Sequence, residues 1–152
     1  ATLDTASGRL RFPRERDAVI TDTVGFIRDL PEDLLKAFKA TLEEMGDANL
    51  LIHLVDLSNP QFEKRMETVE KLLEELGLGD LPRLLVFNKA DLIDPVEARN
   101  LARRHGAVLI SSIRPATLND LLKELEKRLW PGEDLYKSAY GNDETGADKT
   151  DG

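Results

Sequence analysis

Residues 83–91 read RLLVFNKAD, an apolar run that stops at the polar residues Asn88, Lys89 and Asp91. Such a run, short and nearly all apolar, fits a strand covered on both faces with a loop at its carboxyl end. A strand of that kind needs a layer above it and a layer below it. The flanking sequence supplies both. NLLIHLVD (49–56) and AVLIS (107–111) are two further apolar runs. Pro60 opens a predicted helix to about Leu76, with Phe62, Met66, Val69, Leu72, Leu73 and Leu76 inward. Residues 95–105 and 117–130 are predicted helices, the second with Leu118, Leu121, Leu122, Leu125 and Leu129 on its face. The alternation predicts an α/β fold of three layers around a mainly parallel sheet. In such sheets ligands gather at the carboxyl ends of the strands.

Before this unit lie GRLRF (8–12) and DAVITD (17–22), two predicted strands joined by the polar turn PRER. The second is the more apolar and is expected to be the more buried. DLPEDLLKAFKATLEEMG (29–46) then predicts a helix: Asp29 caps it, Leu34, Leu35, Phe38, Leu42 and Met45 share a face, and Gly46 ends it.

A chain of 152 residues with 41% hydrophobic residues suits one domain with one core. There are no cysteines and only two histidines, His53 and His105, which argues against a thiolate or histidine-rich metal site. No apolar run reaches the roughly 18 residues of a membrane span, and no signal-peptide pattern opens the chain. A soluble cytoplasmic protein is expected. The net charge of −8 argues against broad nucleic-acid binding, which needs cations to replace counterions. Arg9, Arg11, Arg14 and Arg16 form one basic patch, read either as an RNA contact or as a solvated hairpin. Residues 1–130 are expected to form the domain. Residues 131–152 are a polar, acidic tail, expected to be disordered beyond about Tyr140.

Three loops carry chemistry. In NKAD, the Asp91 carboxylate suits the two donors on one edge of guanine, N1–H and the exocyclic amine. Adenine would leave that carboxylate unpaired, which discriminates strongly. The Lys89 stem suits the base plane, and Asn88 suits a tie between loops. The plain alternative is a helix-capping loop. In DTVG (22–25), Asp22 at a strand end suits Mg²⁺ held through water. Gly25 lets a backbone N–H approach a terminal phosphate. The alternative is an ordinary strand–turn. In SSI (111–113), Ser111 and Ser112 offer a backbone N–H for the guanine O6, or simply turn chemistry. Thr2 suits Mg²⁺ and the γ-phosphate, or else belongs to a frayed end.

In order and spacing, ATLD (1–4), DTVGFIRDLP (22–31), VDLSNP (55–60), NKAD and SSI resemble the GTPase domain of the HflX family, translational GTPases of the TRAFAC class. The resemblance covers residues 1 to about 130, with DTVGFI and its Leu-Pro pair the most specific stretch. It implies a P-loop NTPase-like fold that binds GTP and GDP with Mg²⁺. It matches Thr2 to the switch I threonine, and Asp22 and Gly25 to the switch II pair. It matches Asn88, Lys89 and Asp91 to the base reader, and Ser111 and Ser112 to the last motif. Ile113 departs from the commoner form of that motif. The resemblance also implies binding to the large ribosomal subunit and splitting of stalled ribosomes, using a separate N-terminal domain. At the position after Gly25, where many small GTPases carry a water-orienting glutamine, stands Phe26. A phenyl ring cannot hold a water nucleophile, so intrinsic hydrolysis is expected to be slow. Alternatively Phe26 packs inward and another residue assists.

A phosphate loop of the form G-x-x-x-x-G-K-[ST] is not in these residues. GNDETGADKT (141–150) imitates it, but Ala147 and Asp148 intervene and no strand precedes it. The resemblance places the phosphate loop, with its strand and helix, before Ala1. The expected sheet therefore lacks its first strand, between those ending at Asp22 and Asp56. These residues alone are expected to prefer guanine but to bind GTP weakly and hydrolyse it negligibly. The competing expectations are a nucleotide-sensing module without turnover and a flavodoxin-like domain in which the motifs are coincidence.

Overall fold

The computed structural model describes residues 6–22, 36, 39 and 44–132. A parallel sheet forms its centre, in the order β3 (Leu51–Asp56), β4 (Arg83–Asn88), β5 (Val108–Leu109). The register sets Asp56 opposite Asn88 and Phe87 opposite Leu109, so the polar ends of the three strands lie on one edge. The strand alternation shows why 84–87 must be apolar throughout. Leu84 and Val86 join one core with Ile110 and Leu125, whereas Phe87 joins another with Val55, Leu57, Ala98 and Ala102. Full burial of Phe87 contributes about 2–3 kcal/mol.

Among the described residues, three helices cover this sheet: α1 (Phe62–Glu75), α2 (Pro95–His105) and α3 (Pro115–Leu129). Phe62 and Met66 of α1 pack on the Phe87 side with α2, while Leu118, Leu121 and Leu125 of α3 pack on the Val86 side. Their ends follow from local chemistry. Asp94 caps α2, accepting from the N–H groups of Val96 and Glu97 at 3.1 and 3.0 Å, with Pro95 in the first turn. Gly106 ends α2 in the left-handed region at φ 64°, where a side chain would be strained. The helix expected over 29–46 lies mostly outside the described residues. Its end is a 3₁₀ turn, Glu44–Asp47, whose Met45 packs with the adjacent Ala48 on the cluster of Leu51 and Leu73.

A separate antiparallel hairpin is formed by β1 (Ala6–Phe12) and β2 (Arg16–Asp22), turning through the left-handed Arg14 and Glu15. Its turn end docks on the Val86 core. Phe12 is buried there, edge-on to the Trp130 ring at 5.2 Å, and the Arg16 guanidinium lies 5.3 Å from that ring.

Three expectations need correction. β2 is not the more buried strand of its pair: Val19 and Ile20 are 73% and 41% exposed, and the buried residue is Phe12 of β1. Among the described residues β2 pairs only with β1, and no described layer covers it beyond Ala18. β3 is not covered along its whole length, since Leu54 is exposed. Among the described residues it lies at the sheet edge, and only its Ile52 joins the core under α3 and the hairpin. The third apolar run forms ladder pairs only at Val108 and Leu109, although Ile110 still bonds Phe87 and Ala90 through its backbone. Residues 133–152 of the tail lie outside the described residues.

Candidate functional site

The carboxyl ends of β3, β4 and β5 bring together two loops predicted to read a base. Asn88 stands at the end of β4, and its side-chain Oδ1 accepts from the Lys89 N–H at 2.8 Å and from the Ser112 N–H at 3.1 Å. It thereby joins the 88–92 loop to the 111–114 loop. The Ala90 N–H to Ile110 carbonyl bond, 3.1 Å, adds a second tie. Ala90–Leu92 is a 3₁₀ turn that carries Asp91. Its Oδ1 accepts from the Ser111 hydroxyl at 2.6 Å, and Ser111 is fully buried. One carboxylate oxygen is thus fixed by the protein, and among the described residues Oδ2 has no donor.

Ser111 is held in turn from α3. Its N–H donates to the Thr117 hydroxyl oxygen at 2.9 Å. The single Thr117 hydroxyl proton goes to the Arg114 carbonyl at 2.8 Å or to the Ser111 carbonyl at 3.0 Å. The backbone N–H groups of Ser111 and Ser112 are therefore both engaged, and among the described residues the Ile113 N–H has no acceptor.

Lys89 adopts the left-handed conformation at φ 65°, uncommon away from glycine. Its Nζ donates to Asp56 Oδ2 at 2.8 Å across the β3–β4 pair. The other oxygen of Asp56 accepts from the N–H and hydroxyl of Ser58 at 3.0 and 2.5 Å. Burial alone would raise the Asp56 carboxyl, but the bonds from Lys89 and Ser58 outweigh it and hold the group below its ordinary range.

Of the predicted site residues, Asn88, Lys89, Asp91, Ser111 and Ser112 converge within this network. Asp22 does not join it: it ends β2 as an exposed residue, and among the described residues no hydrogen bond or ion pair links it to the cluster. Thr2, Gly25 and Phe26 lie outside the described residues.

Comparison with known proteins gives the family. A family model described as "50S ribosome-binding GTPase" matches residues 1–89. The chain belongs to that GTPase family. Within it, the chain matches part of the G domain of proteins named GTPase HflX. It is 38% identical over 145 residues to GTPase HflX of Caldanaerobacter subterraneus subsp. tengcongensis, covering 95% of this chain and 33% of the relative. To GTPase HflX of Lacrimispora saccharolytica it is 40% identical over 147 residues, covering 96% of this chain and 34% of the relative. To that of Escherichia coli K12 it is 38% identical over 132 residues, covering 85% and 31%. The chain thus spans about a third of the length of the curated relatives it matches.

Sequence reasoning did not single out Asp56, Ser58 or Thr117 as site residues. Asp56 and Ser58 stand in VDLSNP, quoted for its family likeness alone, and only the Asp56–Asn88 register brings them to Lys89. A threonine in the first turn of a helix was the one signal for Thr117. Two shallow clefts lie elsewhere, one of about 270 Å³ between the hairpin turn and α3, the other of about 490 Å³ along the acidic side of α1.

Proposed function

We propose that these residues are the guanine-reading part of a Mg²⁺-dependent GTPase that acts on the large ribosomal subunit in the cytoplasm. The observation that carries the reading is the convergence on Asp91: Ser111 fixes one carboxylate oxygen, and the loops on either side are tied through Asn88. A carboxylate oriented in this way accepts from guanine N1–H and the exocyclic amine. The Ile113 N–H, which has no acceptor among the described residues, would supply a donor for O6, and the Lys89 stem would lie against the base. Family membership supports GTP as the nucleotide, and the family's description supports the ribosomal partner.

The donor chemistry at Asp22 fits Mg²⁺. Among the described residues no three acidic or histidine groups could hold a metal by themselves. One exposed carboxylate, completed by waters and phosphate oxygens, matches the coordination habit of this ion. Asp22 and Thr2 would hold it, and it would neutralise phosphate charge there. Gly25 would give its N–H to the γ-phosphate. Phe26 offers no polar atom to the attacking water, which favours a second reading, nucleotide binding without intrinsic turnover. No helix among the described residues is long and apolar enough to cross a membrane.

The test is GTP and ATP binding and GTP turnover by the full-length protein with Mg²⁺, with and without large ribosomal subunits. The expected result is guanine-selective binding with slow hydrolysis that the subunits accelerate. Equal affinity for ATP would refute base reading, and no turnover with subunits present would leave the binding module as the correct reading.

A further inference from the structure

We infer that Asp56 and Ser58 position Lys89 for the guanine base, a role that rests on the base-reading assignment of Asp91 above. Lys89 is the second residue of NKAD, yet its ammonium is not free to follow a ligand. It is drawn back to Asp56 Oδ2 at 2.8 Å, from a residue 33 positions away in the chain. Asp56 is itself fixed by two bonds from Ser58 to its other oxygen. The lysine backbone is set as well, in the left-handed conformation, by its N–H bond to Asn88 Oδ1. Both ends of the side chain are thus anchored, one by Asn88 and one by Asp56.

The pair adds little to folding. The side chains of Lys89 and Asp56 are 48% and 37% exposed, and ion pairs so placed contribute little to stability. Its effect falls on binding instead. A free lysine stem would have to be immobilised when a base docks against it. An anchored stem has already lost that freedom, so affinity rises without a new contact to the ligand. Asp56 and Ser58 are positioning residues here. They act through Lys89 and favour the nucleoside end of the ligand, whatever phosphates it carries.

The experiment measures guanosine diphosphate and triphosphate affinities of the full-length protein for Asp56→Asn, Lys89→Met and the double variant. Asp56→Asn should weaken both nucleotides alike by about three- to tenfold, and should weaken nothing further in the Lys89→Met background. Ser58→Ala, which loosens Asp56 without removing its charge, should give a smaller loss in the same direction if Asp56→Asn does not fold. Wild-type affinities in Asp56→Asn, or losses that simply add in the double variant, would overturn the positioning role. Asp91→Asn with xanthosine diphosphate separates the two ideas. If that variant turns to xanthine while Asp56→Asn is silent, only the positioning role falls. If it stays selective for guanine, the site assignment falls and the positioning role with it.

Discussion

His53 illustrates how one side chain senses its surroundings in this molecule. It points from β3 toward α1, with Nδ1 3.7 Å from Glu70 Oε1, and Glu70 also pairs with Arg83. Burial lowers the imidazole below its ordinary value of 6.5; Glu70 opposes this and Arg83 adds to it. The folded state therefore prefers neutral His53, and the unfolded chain binds the proton more readily. Stability from this group is fully present above the unfolded value and declines as pH falls from about 6.5 toward the lower folded value. Urea unfolding at pH 7.5 and 5.5 should show a loss at the acid end, bounded by about 1.4 kcal/mol per pH unit for one proton. His53→Gln should reduce that loss. Nothing in HLVD announced this behaviour. The imidazole's environment comes from Glu70 and Arg83, which are distant in sequence and meet it only when α1 and β4 pack on β3.

At the scale of elements, the sheet and helices were legible because their patterns are intrinsic. β4 reads as buried on both faces since alternate residues enter different cores, and α2 carries its own cap, first-turn proline and closing glycine. The hairpin was legible as a hairpin but not in its burial. DAVITD is apolar enough for a core, yet apolar composition does not say whether a neighbour covers it. The hairpin is held at its turn end instead, by Phe12 against Trp130 and by Leu10 and Ala18 on the same core. Trp130 is the sole tryptophan of these 152 residues, so in a protein of these residues its emission reports on this docking. Phe12→Ala should cost about 3 kcal/mol and shift Trp130 emission to the red as water reaches the ring. An unchanged spectrum would mean that the hairpin does not depend on this contact.

For the molecule as a whole, the strand ends place chemistry where the parallel sheet requires it. NKAD and SSI were legible because each polar motif closes an apolar run, and that order fixes both at one edge of the sheet. The Lys89–Asp56 pair was not, because it depends on the register of two strands rather than on a local pattern. The central proposal is that this edge reads guanine through Asp91. Its most direct test is competition between guanosine and xanthosine diphosphates for full-length protein carrying Asp91→Asn. Xanthine keeps N1–H but presents a carbonyl where guanine has its amine, so an asparagine amide can donate where aspartate could only accept. On that reading guanosine diphosphate weakens by about a hundredfold and xanthosine diphosphate becomes the preferred ligand. Undiminished preference for guanosine diphosphate would contradict it.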